Sequence, residues 1–184
     1  MKKKSEKKNE QLRVGVFICD CGSNIAGHLD CKSVTEYAGT LPGVVYTKEN
    51  LYTCSEAGIV EIQDAIKENN LNRVVVASCS PRTHHPLFAS SCEQAGMNPY
   101  LFEMVNIRDQ CSWVHMGQHD IATAKAKDLV RMGVAKSVSL QPEDDIESSV
   151  VRKILVIGGG IALSLIHISE PTRLGMLSRM PSSA

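Results

Sequence analysis

Four short apolar segments alternate with longer amphipathic segments in the first three quarters of the chain. The apolar segments lie at residues 13–19, 44–46, 73–77 and 100–104. The first and third are unbroken and rich in β-branched residues, which is typical of strands covered on both faces of a parallel sheet. The strand–helix alternation predicts an α/β domain in which an open parallel sheet carries flanking helices, with the Rossmann-like or flavodoxin-like layering and right-handed crossovers.

The first two intervening segments predict helices from their end signals and apolar spacing. Ser33 is expected to cap a short helix over residues 34–38. Ser55 is expected to cap a longer helix over residues 56–69. The apolar residues of this second helix recur at helical spacing and should face the sheet; they are Ile59, Ile62 and Ile66.

Two further helices are predicted in the second half of the chain. One is expected over residues 86–95, after a turn that contains His84 and His85. Adjacent histidines on a turn are ordinary polar surface more often than metal ligands or proton carriers. The other covers most of residues 109–139, and the residues expected on its buried face are Ile121, Ala124, Leu129 and Met132.

The composition of the chain changes along its length and predicts its domain organisation. Residues 1–12 are lysine-rich and should form a disordered basic head, before an N-terminal α/β domain over residues 13–140. Residues 141–150 are acidic, with few bulky apolar side chains, and indicate a linker. A new apolar strand then starts a second domain over residues 151–162.

The last segment, residues 163–184, is expected to be a non-native tail. Residues 163–173 (LSLIHISEPTR) resemble the translation of a transposon-type sequencing adapter, and residues 178–184 (SRMPSSA) resemble its continuation. An index-sized gap separates these two matches, which are in one reading frame. Segments of this origin are excluded from reasoning about fold.

The charge and hydropathy of the chain exclude some classes of partner and predict a compartment. The net charge is zero, so no general attraction to nucleic acid is expected. No run approaches the roughly 20 apolar residues of a membrane-spanning helix, and the basic head lacks the features of a secretory signal. We therefore expect a cytoplasmic protein, in which the seven cysteines serve metal or redox chemistry and not structural disulfides.

Four cysteines follow the predicted strands. Cys19 and Cys21 follow the first strand, Cys54 the second and Cys79 the third. Because the carboxyl ends of parallel strands share one edge of the sheet, these thiols can converge there. Four thiolates suit an iron–sulfur cluster or tetrahedral zinc. Cys54 and Cys79 also precede helix starts, where free N–H groups favour a thiolate, and Arg82 can add positive charge.

The spacing of these four cysteines leaves other interpretations open. A Cys-x-Cys pair with two solitary cysteines is not a standard ferredoxin or zinc-ribbon spacing. The same residues also suit a thiol or persulfide redox site, or simple packing as small apolar side chains. The remaining cysteines fall at helix starts or within helical patterns and are expected to be packing residues; they are Cys31, Cys92 and Cys111.

The last predicted strand runs directly into three glycines. Residues 153–157 (KILVI) precede Gly158, Gly159 and Gly160, which is how a dinucleotide-binding fingerprint begins. Gly158 would make the tight turn, and Gly160 would let the backbone approach a pyrophosphate. Leu163 stands where the third glycine is expected, at the start of the adapter-like segment.

Several unusual motifs together resemble the family of heterodisulfide reductase A subunits, over about residues 13–162. They are VFICDCGSN at 16–24, YTCS at 52–55, RVVVASCSPRTH at 73–84, NIR at 106–108, SWVH at 112–115 and the glycine run from Gly158. His85 stands where the family pattern would have a glutamate, so no role of that carboxylate carries over.

The resemblance implies a flavin and iron–sulfur electron-transfer subunit. Such a protein would carry FAD at a site including Gly158 and Gly160, and [4Fe–4S] centres. It would join B and C subunits that reduce the CoB–CoM heterodisulfide or a related disulfide. A hydrogenase or dehydrogenase would deliver electrons to the flavin, which can bifurcate them. The candidate cluster ligands that match the family's cysteine motifs are Cys19, Cys21, Cys54 and Cys79. The alternatives are a non-redox docking module and a zinc-stabilised structural domain.

Overall fold

The computed structural model describes residues 11–146 and 148–149. The chain divides into two compact units, residues 1–144 and 145–184, and nearly all of the second unit lies outside the described residues. Three predicted segments therefore lie outside the described residues: the basic head, apart from residues 11 and 12, the flavin-binding segment over residues 151–162, and the tail over residues 163–184.

Four parallel strands form one open sheet. The strands are β1 (Val14–Cys19), β2 (Val44–Asn50), β3 (Arg73–Ser78) and β4 (Phe102–Asn106). Their order across the sheet is β2-β1-β3-β4, and every neighbouring pair is parallel. The two central strands are those with unbroken apolar runs, because both of their faces are covered. This arrangement confirms the predicted α/β class.

Four helices cover the sheet in two layers. They are α1 (Cys31–Gly39), α2 (Glu56–Glu68), α3 (Pro81–Gln94) and α4 (His119–Ser139). Helices α1 and α4 pack on one face, whereas α2 and α3 pack on the other. Side chains of β1 point alternately to the two faces of the sheet. Val16 and Ile18 belong to the core between the sheet and helices α1 and α4, and Phe17 belongs to the core between the sheet and helices α2 and α3.

The ends of the first two helices were predicted with different success. Ser55 caps α2 as predicted, since its hydroxyl accepts the N–H of Gly58. Helix α1 begins earlier than expected, because Asp30 and not Ser33 is its cap. The carboxylate of Asp30 accepts the N–H of Ser33 at 2.9 Å.

The third helix begins five residues before its predicted start. Pro81 occupies the first helical turn, where its missing N–H costs no hydrogen bond. His84 and His85 therefore lie within α3 and not on a turn. Pro86 lies inside the helix, which is why the sequence suggested a start at that residue.

The predicted buried face of the last helix was wrong. Ile121, Ala124 and Met132 are exposed, while Leu129 is only partly buried against the core. The buried face consists mainly of small residues: Ala122, Ala126, Val130, Gly133, Val134 and Ser137. Small side chains let the helix approach the sheet closely, and their low hydrophobicity hides this face from a search for large apolar residues.

Among the residues that the structure describes, none of the helices combines the length and apolar character needed to cross a bilayer.

Candidate functional site

The carboxyl ends of the strands carry the four cysteines that the sequence singled out. Cys19 is the last residue of β1, and Cys21 follows it by two positions. Cys54 lies between β2 and the start of α2, and Cys79 directly follows β3. We call Cys19, Cys21, Cys54 and Cys79 the thiol rim. The strand order places β1 between β2 and β3, so the three cysteine-bearing loops are neighbours.

The loop after β1 is held against the loop after β2. The N–H of Asp20 donates to the carbonyl of Asn50 at 2.9 Å. Cys21 adopts left-handed backbone geometry (φ 48°, ψ 41°), which is uncommon for a residue with a side chain. Gly22 also has a positive φ, and a Cβ there would lie 2.7 Å from the Tyr52 hydroxyl. The tight turn therefore needs glycine next to Cys21, and a strained residue at a loop suggests function.

Two of the thiols are deeply buried and one is fixed by a backbone contact. Cys19 is 3% exposed, and its Sγ accepts the N–H of Thr53 at 3.4 Å. Cys79 is 5% exposed and follows Ser78, whose carbonyl accepts the N–H of Ile107 at 2.9 Å. Cys54 is partly buried, next to Thr53. Two of the four rim thiols are therefore shielded from water, and Cys21 and Cys54 are partly exposed.

The rim thiols influence one another electrostatically. Burial raises the pKa of Cys79, Arg108 opposes this, and Cys21, Cys19 and Cys54 each raise it further. Burial likewise raises the pKa of Cys54, with further contributions from Cys19 and Cys21. The expectation that helix starts would favour thiolates at Cys54 and Cys79 was therefore wrong, because burial and neighbouring thiols outweigh nearby N–H groups.

Several buried polar atoms at the rim have no hydrogen-bond partner in the described part of the chain. They are the Oδ1 atoms of Asp20 and Asn50 and the hydroxyls of Thr53 and Ser78. Each belongs to a residue at or near a rim cysteine. Unsatisfied buried polar atoms are rare in native proteins and often mark the place of a bound ion or water.

The rim offers the type of donor atom that iron–sulfur clusters use, but the described side chains do not form a compact cage for one ion. Within the described residues, no three Cys, His, Asp or Glu side chains are grouped so as to hold a metal ion. The rim nonetheless provides four soft sulfur donors, and buried polar atoms without partners lie beside them. In a cluster the thiolates bind different irons, so they need not meet at one point, as zinc ligands do.

Arg108 is a residue of the site that sequence reasoning missed. It begins a π-helical turn, Arg108–Ser112, directly after β4. The positive charge of its guanidinium lowers the pKa of Cys79, against the effect of burial. The positive charge that acts on Cys79 therefore comes from Arg108, and not from Arg82 as expected. The expectation that site residues follow strand ends would have pointed to Arg108. The sequence, however, placed the end of the fourth strand at residue 104, two residues before its observed end at Asn106.

The other cysteines lie in the two hydrophobic cores, one of which also contains the rim residue Cys79. Cys31 and Cys111 belong to the core between the sheet and helices α1 and α4, and Cys92 belongs to the opposite core. The thiol of Cys111 donates to the carbonyl of Ala122 at 3.1 Å. Burial raises the pKa of Cys92 to about 12. All seven cysteines are free thiols.

A carboxylate pair lies beside the rim and gives a pH-dependent prediction. Burial, then the charge of Asp20 and a hydrogen bond with it, raise the pKa of Glu49. A carboxyl whose pKa is raised by folding destabilises the fold as the pH rises through that pKa. Glu49→Gln should therefore raise the thermal midpoint at pH 7 and change it little near pH 3, as measured by circular dichroism melts. An equal shift at both pH values would show that the charge is not responsible.

The predicted flavin-binding residues, Gly158 and Gly160, lie outside the described residues. Their role stays a prediction from the sequence.

Comparisons with known proteins identify relatives of the chain. No protein-family model matches it. It is 54% identical over 159 residues to the A subunit of the H2:CoB–CoM heterodisulfide,ferredoxin reductase of Methanothermobacter thermautotrophicus, which covers 86% of this chain and 24% of that protein. It is 50% identical over 153 residues to a protein of Archaeoglobus profundus named as similar to the heterodisulfide reductase A subunit, covering 83% of the chain and 22% of the relative.

The name of a third relative includes ferredoxin and F420H2. It is the A subunit of the ferredoxin/F420H2-dependent CoB–CoM heterodisulfide reductase of Methanosarcina acetivorans, 50% identical over 151 residues, or 82% of the chain and 19% of the relative. The chain thus spans only about a fifth to a quarter of the length of these curated relatives. At this level of identity over more than four fifths of its own length, the chain belongs to the family of heterodisulfide reductase A subunits.

Proposed function

We propose that the chain is part of an electron-transfer subunit of a CoB–CoM heterodisulfide reductase, or of a reductase of a related disulfide, and that its thiol rim binds a [4Fe–4S] cluster. The observation that carries this proposal is that four cysteines, two of them buried, follow three neighbouring strands at one edge of the sheet. The kinship to A subunits supports the wider role.

The electrostatics of the rim support a cationic occupant. Deprotonating Cys79 is unfavourable while it is buried beside three other thiols, as its raised pKa indicates. Iron would offset both the repulsion between thiolates and the loss of hydration, and binding would release the thiol protons. Bound there, the cluster would supply one-electron transfer.

The protein's own residues would position and protect that centre. The N–H of Thr53 donates to the sulfur of Cys19 and fixes it. The burial of Cys19 and Cys79 excludes water from two of the ligands. The charge of Arg108, which lies after β4, acts on Cys79. Such hydrogen bonds orient ligands and tune the centre that they hold.

The remaining parts of the proposal concern the whole parent protein. It would bind FAD through a fingerprint that begins at Gly158 and Gly160, and the flavin could bifurcate electrons from a hydrogenase or dehydrogenase. It would assemble with B and C subunits in the cytoplasm. The names of two relatives support electron delivery from ferredoxin or F420H2. The gene sequence of the whole parent protein tests the FAD site. We expect a glycine in place of Leu163, followed by an FAD-binding helix.

Anaerobic purification of the chain, followed by iron, sulfide and zinc analysis, tests the proposed cluster. We expect a brown protein with about four irons and four sulfides per chain, as the cluster type requires. Stoichiometric zinc, with loss of the fold on chelation, would instead establish a structural zinc domain. A colourless chain without iron, sulfide or zinc would overturn the proposed cluster.

A docking role has separate support from the surface next to Arg108. Trp113 is 44% exposed, and Val114 and Met116 are more exposed still. Exposed apolar side chains in one loop are typical of protein–protein contact sites. If docking were the only role, Cys79→Ser would leave the activity of the assembled complex intact, whereas Trp113→Asp would disrupt assembly.

A further inference from the structure

We propose that the lysine-rich start of the chain, residues 1–10, binds in an acidic groove between strand β2 and helix α2 of the same chain. The sequence alone predicts a disordered head and gives these residues no partner. The inference goes beyond the proposed cluster and does not rest on it, because none of the described residues that line the groove is a cysteine.

The groove lies beside the outermost strand of the sheet. Strand β2 forms one edge of the sheet, and helix α2 packs against α3 and β1. The face of β2 next to α2 is therefore only partly covered, and a groove of about 1000 Å³ remains there. Tyr46 and Asn50 of β2 line one side, and one face of α2 from Glu56 to Glu68 lines the other. This face is about 18 Å long, so the groove suits an extended segment better than a single ion.

The helix side of the groove is negatively charged. Glu56, Asp64 and Glu68 lie along one stripe of α2, because their spacing is a multiple of four residues, and Glu61 also lines the groove. Among the described residues, Lys48 pairs with Glu61 at 2.8 Å, and no cation forms an ion pair with the other three carboxylates. Neighbouring like charges on a helix destabilise it, so a cationic occupant would stabilise this face.

Apolar surface lies next to these charges. Leu51, Tyr52 and Val60 line the groove and are 61%, 50% and 48% exposed. A lysine side chain has a four-carbon stem, which can cover such surface while the ammonium group reaches a carboxylate. Tyrosine rings also attract ammonium groups. The groove therefore favours a lysine-rich segment over a purely apolar one.

The described part of the chain begins at one end of this groove. The carbonyl of Gln11 accepts a hydrogen bond from Nδ2 of Asn72 at 2.9 Å, just past the end of α2. The Nε of Arg13 donates to the carbonyl of Asn69 at 2.9 Å. Asn69 directly follows Glu68, the last residue of α2 and a lining residue of the groove. The backbone of residues 1–10 therefore joins the domain next to the acidic side of the groove.

The length and charge of residues 1–10 match the groove. Ten extended residues span about 33 Å, which is more than the length of the helix face. Lys7 and Lys8 would meet Asp64 and Glu68 near the entry, and the earlier lysines would meet the acidic residue at the far end. The segment contains two glutamates and five lysines, which are Lys2, Lys3, Lys4, Lys7 and Lys8.

The covalent link makes weak ion pairs sufficient for binding. Each exposed ion pair contributes little by itself, but a short tether holds the lysines at a local concentration in the millimolar range. Salt screens exposed charges over about 10 Å at 0.1 M and over shorter distances above that. The segment should therefore occupy the groove at low ionic strength and leave it at high ionic strength.

Zero-length cross-linking of the anaerobically purified full chain tests the inference. A water-soluble carbodiimide joins a lysine amine to a carboxylate that it contacts, and mass spectrometry of the digested monomer locates the new amide bond. In low salt we expect bonds between lysines of residues 1–10 and Asp64 or Glu68. These bonds should be lost in about 0.5 M NaCl, where the charges are screened.

Tryptic cleavage within residues 1–10 gives a second readout. In low salt, cleavage should be about fivefold faster in Asp64→Asn/Glu68→Gln than in the unmodified chain, as the loss of two exposed ion pairs implies. The matched control is Asp120→Asn/Asp128→Asn, which removes two exposed carboxylates from α4, on the other face of the sheet. Its cleavage rate should equal that of the unmodified chain.

The outcomes decide where residues 1–10 bind. Amide bonds within one chain, with faster cleavage of Asp64→Asn/Glu68→Gln, support the inference. In a mixture of isotopically labelled and unlabelled chains, bonds that join the two kinds would place a second copy in the groove and overturn it. Absence of bonds from residues 1–10 to α2, or equal cleavage of both double variants, would also overturn it. The cross-links of the unmodified chain decide the question if a variant fails to fold, and neither measurement depends on iron or sulfide.

Discussion

Cys79→Ser is expected to remove most of the iron and sulfide from the anaerobically purified chain while leaving its secondary structure intact. Cys79 follows β3 and is electrostatically coupled to the other three rim thiols. Serine has nearly the same size but is a poor ligand for iron, so the centre should lose one of its four ligands without a cavity forming. Iron and sulfide analysis, with far-ultraviolet circular dichroism, measures both quantities.

Cys92→Ser is the matched control for this substitution. Cys92 is fully buried on α3, in the same hydrophobic core as Cys79, but it does not lie at a strand end. The same exchange there should lower stability by about 1–3 kcal/mol through burial of a hydroxyl, and should leave the iron content unchanged. Equal loss of iron in both variants would show that general destabilisation, and not ligation, controls the metal content.

Gly133→Ala is expected to destabilise the domain by about 1–3 kcal/mol, the usual cost of overpacking a core. Gly133 faces β4 from α4, and a Cβ there would lie 2.2 Å from Cγ2 of Val105. Val105 is buried and precedes Asn106, whose side-chain oxygen accepts the backbone N–H of Arg108. The substitution should therefore also disturb the site. Urea unfolding followed by circular dichroism measures the loss.

Gly39→Ala provides the control, since it makes the same change where there is room. A Cβ at Gly39 would meet only Thr47, at 3.8 Å, which is an ordinary contact. Alanine favours a helix over glycine by about 1 kcal/mol, so Gly39→Ala should be neutral or stabilising. If Gly133→Ala proved as stable as Gly39→Ala, the close approach of α4 to the sheet would be contradicted.

Where the sequence succeeded, the physical signal was local. The unbroken apolar runs of β1 and β3 could come only from strands covered on both faces, and they led directly to a parallel sheet. Because the sheet is parallel, Cys19 and Cys79, which lie at strand ends, were then expected at the same edge of the sheet. Ser55 also has a local signature, because a capping hydroxyl acts within one helical turn.

Where the sequence failed, the deciding interactions were between distant segments. Ile121 and Met132 are exposed because α4 packs through its small residues, and that choice depends on Val105 of another element. Arg108 acts on Cys79, which follows a different strand, and it lies in a π-helical turn that no periodicity reveals. Burial, and then the neighbouring thiols, likewise raised the pKa of Cys54, where helix geometry alone suggested the opposite.

Iron K-edge X-ray absorption of the anaerobically purified chain tests most directly whether sulfurs from separate loops share one multinuclear centre. We expect a first coordination shell made only of sulfur and a distinct iron–iron shell, with both signals lost in Cys79→Ser. Iron bound to nitrogen or oxygen, or iron without an iron neighbour, would contradict a shared centre.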